Sequence, residues 1–378
     1  MKTKVLIVIS NMEFGGAQRQ VVELVNNIDL NKFEIHVCSL SEYIPLANKL
    51  NKNINFHIVN KKKKFDFSVI LKLRSILKTH QLDIIHSYLF DDEIASRLAA
   101  FFSFSKVKVI GSERNTNYHL QIHQKIAIAI TKHIVNLIIA NSTSGAEFNA
   151  KLSKLKKEKY RVIYNGVDTE KFAPEDRNKA KESLKIPIDH KVIGMFASFK
   201  EQKNHPLLLS AFSEILQNNP KTILLLVGDR LYGGMHGSDD FNEKIHQLIQ
   251  SLNIQKNCLL LGNRSDVEYL YPACDFTVLP SLYEGTPNVI LESMACGSPV
   301  IATNVSDNSK IIINDRNGII FESKNKEQLK TAICQLLNSK KIQSMEADAR
   351  ETVLCYFSSE ALALNTQKIY EEVLKGIL

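Results

Sequence analysis

Short apolar runs alternate with amphipathic stretches along nearly the whole chain. Val5–Ile9 is a run of five aliphatic residues, the pattern of a strand buried on both faces of a parallel sheet. A polar turn, Asn11–Gly16, follows it, and then Val21, Val22, Leu24, Val25 and Ile28 recur at helical spacing. Further strand-like runs lie at Glu34–Leu40, Ile54–Val59, Asp83–His86, Val107–Gly111, Asn136–Ala140 and Arg161–Tyr164. A second set starts at Lys191–Ala197, with a helix expected over Pro206–Leu216. It continues with Ile223–Gly228, Cys258–Gly262, Phe276–Pro280, Val300–Thr303 and Gly318–Phe321. Alternation of this kind implies α/β, doubly wound sheets that take ligands at the carboxyl ends of their strands. The pattern loosens through Lys171–His190, which holds Pro174 and Pro187. Two domains are therefore expected, over 1–180 and 190–358, with a closing helix near 360–378 packing back on the first.

The densest stretch is Ser281–Ala302. Thr286 fits an N-cap and Pro287 a first helical position, for a helix from about Asn288 to Ala295 that Gly297 and Pro299 stop. Glu284 precedes this helix and Glu292 lies within it, seven residues between them. Two readings stand. The acids are ordinary surface glutamates of a βαβ unit, or they hold opposite ends of an elongated ligand whose phosphates meet the free N–H groups of the helix start. A glycosidase-type acid pair must stand roughly 5–10 Å apart across one bond, and Glu292 is more than a turn into a helix rising about 1.5 Å per residue.

Other candidates also sit at strand ends. Gly15 and Gly16 let a backbone approach a ligand closely, but the turn is not the G-x-G-x-x-G of a dinucleotide fold. His86 ends one run, as a loop histidine or a substrate contact, and Arg114-Asn115 ends another, where Arg114 either binds a ligand or pairs with Glu113. Lys200 and Lys203, in the loop Ser198–His205, suit a diphosphate or simple solvation. The loop Arg230–Asp240, with His236 and Asp239–Asp240, lacks metal-ligand spacing and reads as a mobile loop.

Composition narrows the class. The 378 residues suit two domains, and 44% hydrophobic with 23% charged residues is a globular balance. Six scattered cysteines read as buried thiols in a reducing compartment. The longest apolar segment, Ile126–Ala140, is broken by Thr131, Lys132, His133 and Asn136, so no transmembrane helix and a cytoplasmic location are expected. A net charge of +8 favours polyanions. Nucleic acid is excluded because no aromatic–basic module is present. The basic runs Lys61–Lys64 and Lys151–Arg161 are either solvated faces or a surface for anionic lipid. Ile122, Ile126, Ala129, Ile130 and His133 would support the second reading.

Seven segments occur in one order: Phe14-Gly15-Gly16-Ala17, Asn165-Gly166-Val167-Asp168, Lys203-Asn204-His205, Val227-Gly228-Asp229, Leu261–Val267, Asp275 with Leu279-Pro280-Ser281, and Ser281–Ala302. Asn317-Gly318 closes the series. Together they resemble the retaining, nucleotide-sugar-dependent glycosyltransferases of family 4 (glycosyl transferases group 1). The resemblance implies a GT-B fold: two facing Rossmann-like domains with an interdomain cleft. It places Glu284 beside the transferred sugar, Glu292 on the ribose, and the backbone of Gly285, Thr286, Pro287 and Asn288 against sugar and phosphate. Glu284 and Lys203 take the catalytic roles, with Lys203 at the leaving diphosphate and Gly16 offering its amide to the same phosphates. Arg264 falls in the base-pocket segment, and His86, Arg114, Asn115 and His119 fall on the acceptor side.

Three departures stand out. Ser198 replaces the family's usual arginine five residues before the lysine, and Lys200 is placed to compensate. The fifth strand ends in Arg114-Asn115 where relatives often carry a histidine, and Val305-Ser306-Asp307-Asn308-Ser309 replaces a glycine-rich run. The implied reaction is metal-independent, needs no cofactor, and moves a hexosyl or N-acetylhexosaminyl group from a UDP-sugar rather than a GDP-sugar to a glycan or lipid-linked acceptor. A nucleotide-sugar epimerase of the same fold and a non-catalytic binding subunit are the alternatives.

Overall fold

The computed structural model describes residues 2–63, 66–114, 120–229 and 238–377, with the backbone alone for Ser238 and Asp239. Lys64, Phe65, Asn115, His119 and the loop from Arg230 to Gly237, His236 included, lie outside the described residues. The chain divides into two compact units, one of Met1–Gly166 with Ser359–Leu378 and one of Val167–Ser358.

The first unit is built on a seven-stranded sheet: β1 (Thr3–Ile9), β2 (Phe33–Ser39), β3 (Asn55–Ile58), β4 (Ile84–Tyr88), β5 (Lys108–Glu113), β6 (Leu137–Ala140) and β7 (Tyr160–Val162). The spatial order is β3-β2-β1-β4-β5-β6-β7, and every pairing is parallel. Its helices are α1 (Gly16–Asn27), α2 (Phe67–Thr79), α3 (Phe90–Ser103), α4 (Ile122–Thr131) and α5 (Thr143–Ser153). The apolar runs become central strands because both faces are covered. Ile7 and Ile9 pack with Val21 and Leu24 of α1, while Leu6 and Val8 pack with Leu73 of α2 and Ala99 of α3. β4 continues past His86 to Tyr88, so His86 lies inside a buried strand rather than at its end. Ser142 caps α5, its side chain accepting from the Gly145 amide.

The second unit carries β8 (Lys191–Phe196), β9 (Thr222–Val227), β10 (Cys258–Leu260), β11 (Phe276–Leu279), β12 (Val300–Thr303) and β13 (Gly318–Phe321). They form a parallel sheet in the order β10-β9-β8-β11-β12-β13. Around it run α6 (Arg177–Ser183), α7 (His205–Ile215), α8 (Ser238–Ser251), α9 (Asn288–Ala295), α10 (Asn308–Ile311), α11 (Lys326–Leu337) and α12 (Ile342–Tyr356). Leu208 and Phe212 of α7, Ile245 of α8 and Leu329 and Ile333 of α11 cover one face. Gly228 ends β9 at φ +136°, and a Cβ there would lie 2.1 Å from the Ala197 carbonyl oxygen, so only glycine fits.

A last helix, α13 (Ser359–Lys375), belongs to the first unit and puts Leu362, Ile369, Tyr370 and Val373 into the α1 side of its core. Two expectations are corrected. Pro287, at φ −76° and ψ 118°, occupies the N-cap of α9 itself, which displaces Thr286 from that role. Cys38, Cys274 and Cys296 are buried, but Cys258 and Cys334 are partly open and Cys355 is exposed.

Candidate active site

In the second sheet the strand order reverses between β8 and β11, and the crevice beyond the strand ends at such a point is where open α/β sheets bind ligands. The chain leaves β8 into a 3-10 turn, Glu201–Lys203, and leaves β11 into Ser281–Pro287. These two exits are laced together. Leu282 donates its amide to the Gln202 carbonyl at 2.8 Å, and the Gln202 side chain donates to the Tyr283 carbonyl at 2.6 Å. Lys203 Nζ then meets Glu284 Oε1 at 2.5 Å, with 14% and 8% of the two side chains exposed. Burial this deep keeps the pair short of water, so removing either member strands the other charge.

Lys200 and Ser198 stand half-buried on the same turn. Burial, then the neighbouring Lys203 charge, hold the Lys200 ammonium below the usual lysine range, and Glu284 opposes them. Lys200 thus shares the electrostatic field of Lys203 and Glu284 in a segment where Ser198 supplies no charge. Two residues past Lys203, His205 is buried against Phe199 and Phe241. Burial pushes its ring down to about 3, so it is a neutral packing group.

Glu284 and the start of α9 are contiguous. Gly285, Thr286 and Pro287 are buried and Asn288 is half-buried as the first helical residue. No acidic side chain occupies the first turn of α9, so its N-terminal partial charge suits an anion. At the other end Arg350 donates to the Ala295, Phe172 and Thr169 carbonyls and fixes the helix in place. Glu292 is buried in the middle, where it accepts from the Tyr271 hydroxyl at 2.8 Å. Tyr271 is itself clamped, stacked on Phe196 at 3.8 Å between ring centres and edge-on to Phe172.

Tyr271 is a site residue that sequence reasoning missed, because nothing in its spacing links it to a carboxylate 21 positions on. Asp275, by contrast, proves to be an anchor. It accepts from the Val192 amide and from Lys191 at the start of β8, the edge of the sheet opposite the strand exits. Arg264 is exposed and bound bidentately to Asp266 at 2.7 and 2.6 Å, which holds its guanidinium above the usual range.

The first sheet reverses between β1 and β4. Gly15 is the N-cap of α1 and Gly16 its first residue. Just past β1, Ser10 donates to Asp92 at 2.7 Å, and burial pushes the Asp92 carboxyl up to about 8. His86 binds the Tyr370 hydroxyl through Nδ1 at 2.7 Å, and burial, with the Arg114 charge, pushes its ring down to about 3. Arg114 lies over the Tyr88 ring at 4.6 Å and donates to Asn165 at 3.1 Å, so its partners are not the adjacent Glu113. His86 Nε2, Tyr88 Oη and Arg114 Nε remain buried without a hydrogen bond to any described residue. A cavity of about 200 Å³ beside this cluster is lined by Glu93, Arg97, Glu113 and Arg114 among others. In it, burial and the Glu93 charge push Glu113 up to about 8.

Comparison with known proteins identifies the family and the fold. Residues 14–171 match the Glycosyltransferase Family 4 model, and residues 176–352 match Glycosyl transferases group 1. The chain is 26% identical over 359 residues to the UDP-Gal:alpha-D-GlcNAc-diphosphoundecaprenol alpha-1,3-galactosyltransferase of Escherichia coli, covering 91% of this chain and 90% of that one. It is similar in structure to a glycosyltransferase of Rickettsia africae, at TM-score 0.85 and 23% identity over 99% of both chains. Anabaena Alr3699/HepE, crystallised with UDP, also matches at TM-score 0.85, with 20% identity over 98% of this chain and 100% of that one. The chain therefore belongs to the family 4, group 1 glycosyltransferases and has their GT-B fold of two Rossmann-like domains.

Proposed function

We propose that the protein is a retaining, metal-independent glycosyltransferase that moves a hexosyl or N-acetylhexosaminyl group from a UDP-sugar to a glycan or lipid-linked acceptor. The observation that carries this reading is the Lys203–Glu284 pair at the β8/β11 crossover, next to a helix start without acids. The choice of UDP is supported by the UDP bound to Anabaena Alr3699/HepE and by the UDP-Gal in the name of the Escherichia coli relative. That name also contains a diphosphoundecaprenol-linked acceptor.

Breaking the bond between sugar and diphosphate leaves the electron pair on the phosphate oxygen and positive charge on the sugar ring. Lys203 turns from Glu284 to the diphosphate, and the α9 amides add a fixed dipole. Such preorganised charge is the usual large contribution in sites of this kind. Lys200 supplies the second positive charge that Ser198 lacks. Glu284, released from Lys203, positions the sugar and supports its cationic ring. The departing phosphate oxygen takes the proton of the acceptor hydroxyl, which attacks from the same face and retains the configuration. Glu292, aimed by Tyr271, accepts from the ribose, and Arg264 lies at the base end. On the first unit, Gly15 and Gly16 offer an anion-receptive helix start, and His86 and Arg114 position the acceptor side.

Association with an anionic membrane at the cytoplasmic face belongs to the same proposal. Ile122, Ile126 and Ile130 are exposed at i, i+4 and i+8 on α4, and Phe101, Phe102 and Phe104 are exposed at the end of α3. Lys62, Lys63, Lys154 and Lys156 are exposed as well. Among the described residues no helix is long and apolar enough to cross a membrane. Sedimentation with phosphatidylglycerol vesicles is expected at low salt and is lost in Ile126→Glu; equal sedimentation of both proteins rejects the surface.

The direct test of the reaction is a thermal-shift screen of UDP-, GDP- and dTDP-sugars, followed by turnover of the stabilising donor with a lipid-diphosphate sugar. A UDP-sugar is expected to raise Tm, and UDP release to require the acceptor, survive EDTA and give a product of the donor's anomeric configuration. Acceptor-free isomerisation, a rate lost on chelation and restored only by Mg²⁺, or an inverted product each contradicts the proposal.

A further inference from the structure

The first unit carries a cluster that the transfer reaction does not use. His36 of β2, His57 of β3 and His80, which caps the C-terminus of α2, each bring one ring nitrogen within 4.8 Å of the others. We propose that His36, His57 and His80 form a binding site for a divalent transition-metal ion that clips the sheet-edge strand β3 and the end of α2 to β2.

The fold dictates the convergence. Alternation along β2 sends Glu34, His36 and Cys38 to the face covered by α2, and the β2–β3 register pairs Cys38 with His57, one diagonal step from His36. The three rings pack at 4.7–5.2 Å between centres. Metal–imidazole bonds of about 2.0–2.1 Å ask for ligand nitrogens about 3–3.5 Å apart. His36 Nδ1 and His57 Nε2 stand 2.9 Å apart, so a small separation seats an ion.

The surroundings favour neutral ligands in one tautomer. His36 Nε2 meets Glu34 Oε1 at 3.0 Å, which assigns the ring proton to Nε2 and leaves the Nδ1 lone pair facing His57. A carboxylate behind a ligating histidine is the usual outer support of an imidazole metal site. Burial holds His36 and His57 below the usual histidine range. The His57 proton on Nε2, now shared with His36, moves to Nδ1 of the same ring when the metal arrives, with no net change in protonation. The His80 ring makes no hydrogen bond to any described residue. Lys4 is the nearby cation, but its ammonium donates to the His80 carbonyl at 3.2 Å and lies 3.9 Å from Glu34, whose charge offsets it.

Three imidazoles with no thiolate suit zinc, cobalt, nickel or copper rather than magnesium or calcium, which take oxygen ligands. The cluster lies toward the starting ends of β1 and β2, near Lys4 and Glu34, whereas Gly15 and Gly16 follow the finishing end of β1. Its role is therefore to stabilise the first unit.

The test uses the full chain, free of any His tag and stripped of metal, titrated with Zn²⁺ by calorimetry and with Co²⁺ by visible absorption. One ion per chain is expected, with ligand-field bands of nitrogen coordination and a higher Tm on adding Zn²⁺. His57→Gln and His80→Gln should each weaken binding by at least about 10-fold, and Glu34→Gln by about 10–100-fold. His80 is at a partly open helix end, so His80→Gln keeps its circular dichroism spectrum even if a His36 variant does not fold. Absence of saturable binding, or unchanged affinity in the folded His57→Gln/His80→Gln double variant, overturns the site.

Discussion

At the β8/β11 crossover the second unit sets an ion pair, Lys203–Glu284, beside a helix start. At the β1/β4 crossover the first unit buries His86 with Tyr88 and Tyr370 and, separately, Asp92 against Ser10. Two sheets of the same winding thus fill equivalent places in opposite ways. In the second the charged groups hang from short loops at strand exits and stay charged by pairing with each other. In the first the polar groups are sealed, and burial drives their ionisation toward the neutral form, up to about 8 for Asp92 and down to about 3 for His86. The difference separates a pair of opposite charges from groups that burial holds neutral.

The comparison breaks most visibly at Glu284. Glu284→Ala is expected to lower the transfer rate on the order of 10²–10³-fold, the scale for loss of one preorganised charge contact, measured as UDP release with acceptor. Donor recognition should respond less. Tyr271→Phe removes the hydroxyl that aims Glu292 while keeping the ring on Phe196, and is expected to raise donor KM about 10-fold (about 1.4 kcal/mol) with kcat unchanged. An equal fall in kcat would show that Tyr271 serves the chemical step instead.

The smallest effects lie in the pH dependence of the first unit, and they have opposite signs. His86 titrates near 3 when folded and near 6.5 when unfolded, so its contribution is complete above about 6.5 and is lost as pH falls toward 3. Asp92 titrates near 8 when folded and near 3.8 when unfolded, so its contribution is complete below about 4 and is lost as pH rises toward 8. Between about pH 4 and 6.5 the two slopes oppose each other. Denaturant melts across that range should therefore tilt in opposite directions: stability falls with rising pH in His86→Gln and climbs in Asp92→Asn. Parallel curves for the two variants would remove the claim that both groups are held neutral.

Much of this architecture was legible in the sequence because buried parallel strands leave continuous Val, Ile and Leu runs. All thirteen described strands overlap the strand-like stretches read from the sequence, shifted by a few residues at their ends, although β2, β3 and β7 are mixed rather than continuous apolar runs. The Glu284–Glu292 stretch was legible for a related reason, since its loop and helix start are contiguous. What the sequence hid depends on distant partners. His86 meets Tyr370 284 positions later, and the histidine trio joins residues 21 and 23 positions apart across two strands and a helix end. Thr286 looked like a cap because its hydroxyl fits one, yet the extended backbone of Pro287 already completes the turn. Lys191 and Lys181 gather on Asp275 at the starting edge of the sheet, so this member of the resembling segments is a buried anchor.

The account's central claim is that Lys203 and Glu284 act as one unit in the transfer step. A double-mutant cycle on the rate of sugar transfer tests it, using Lys203→Ala, Glu284→Ala and the pair, each checked for an intact fold. The account predicts that each single variant loses most of the rate and that the double variant loses little more than either alone. Folded single variants that turn over at the wild-type rate, or losses that simply multiply in the double variant, would contradict it.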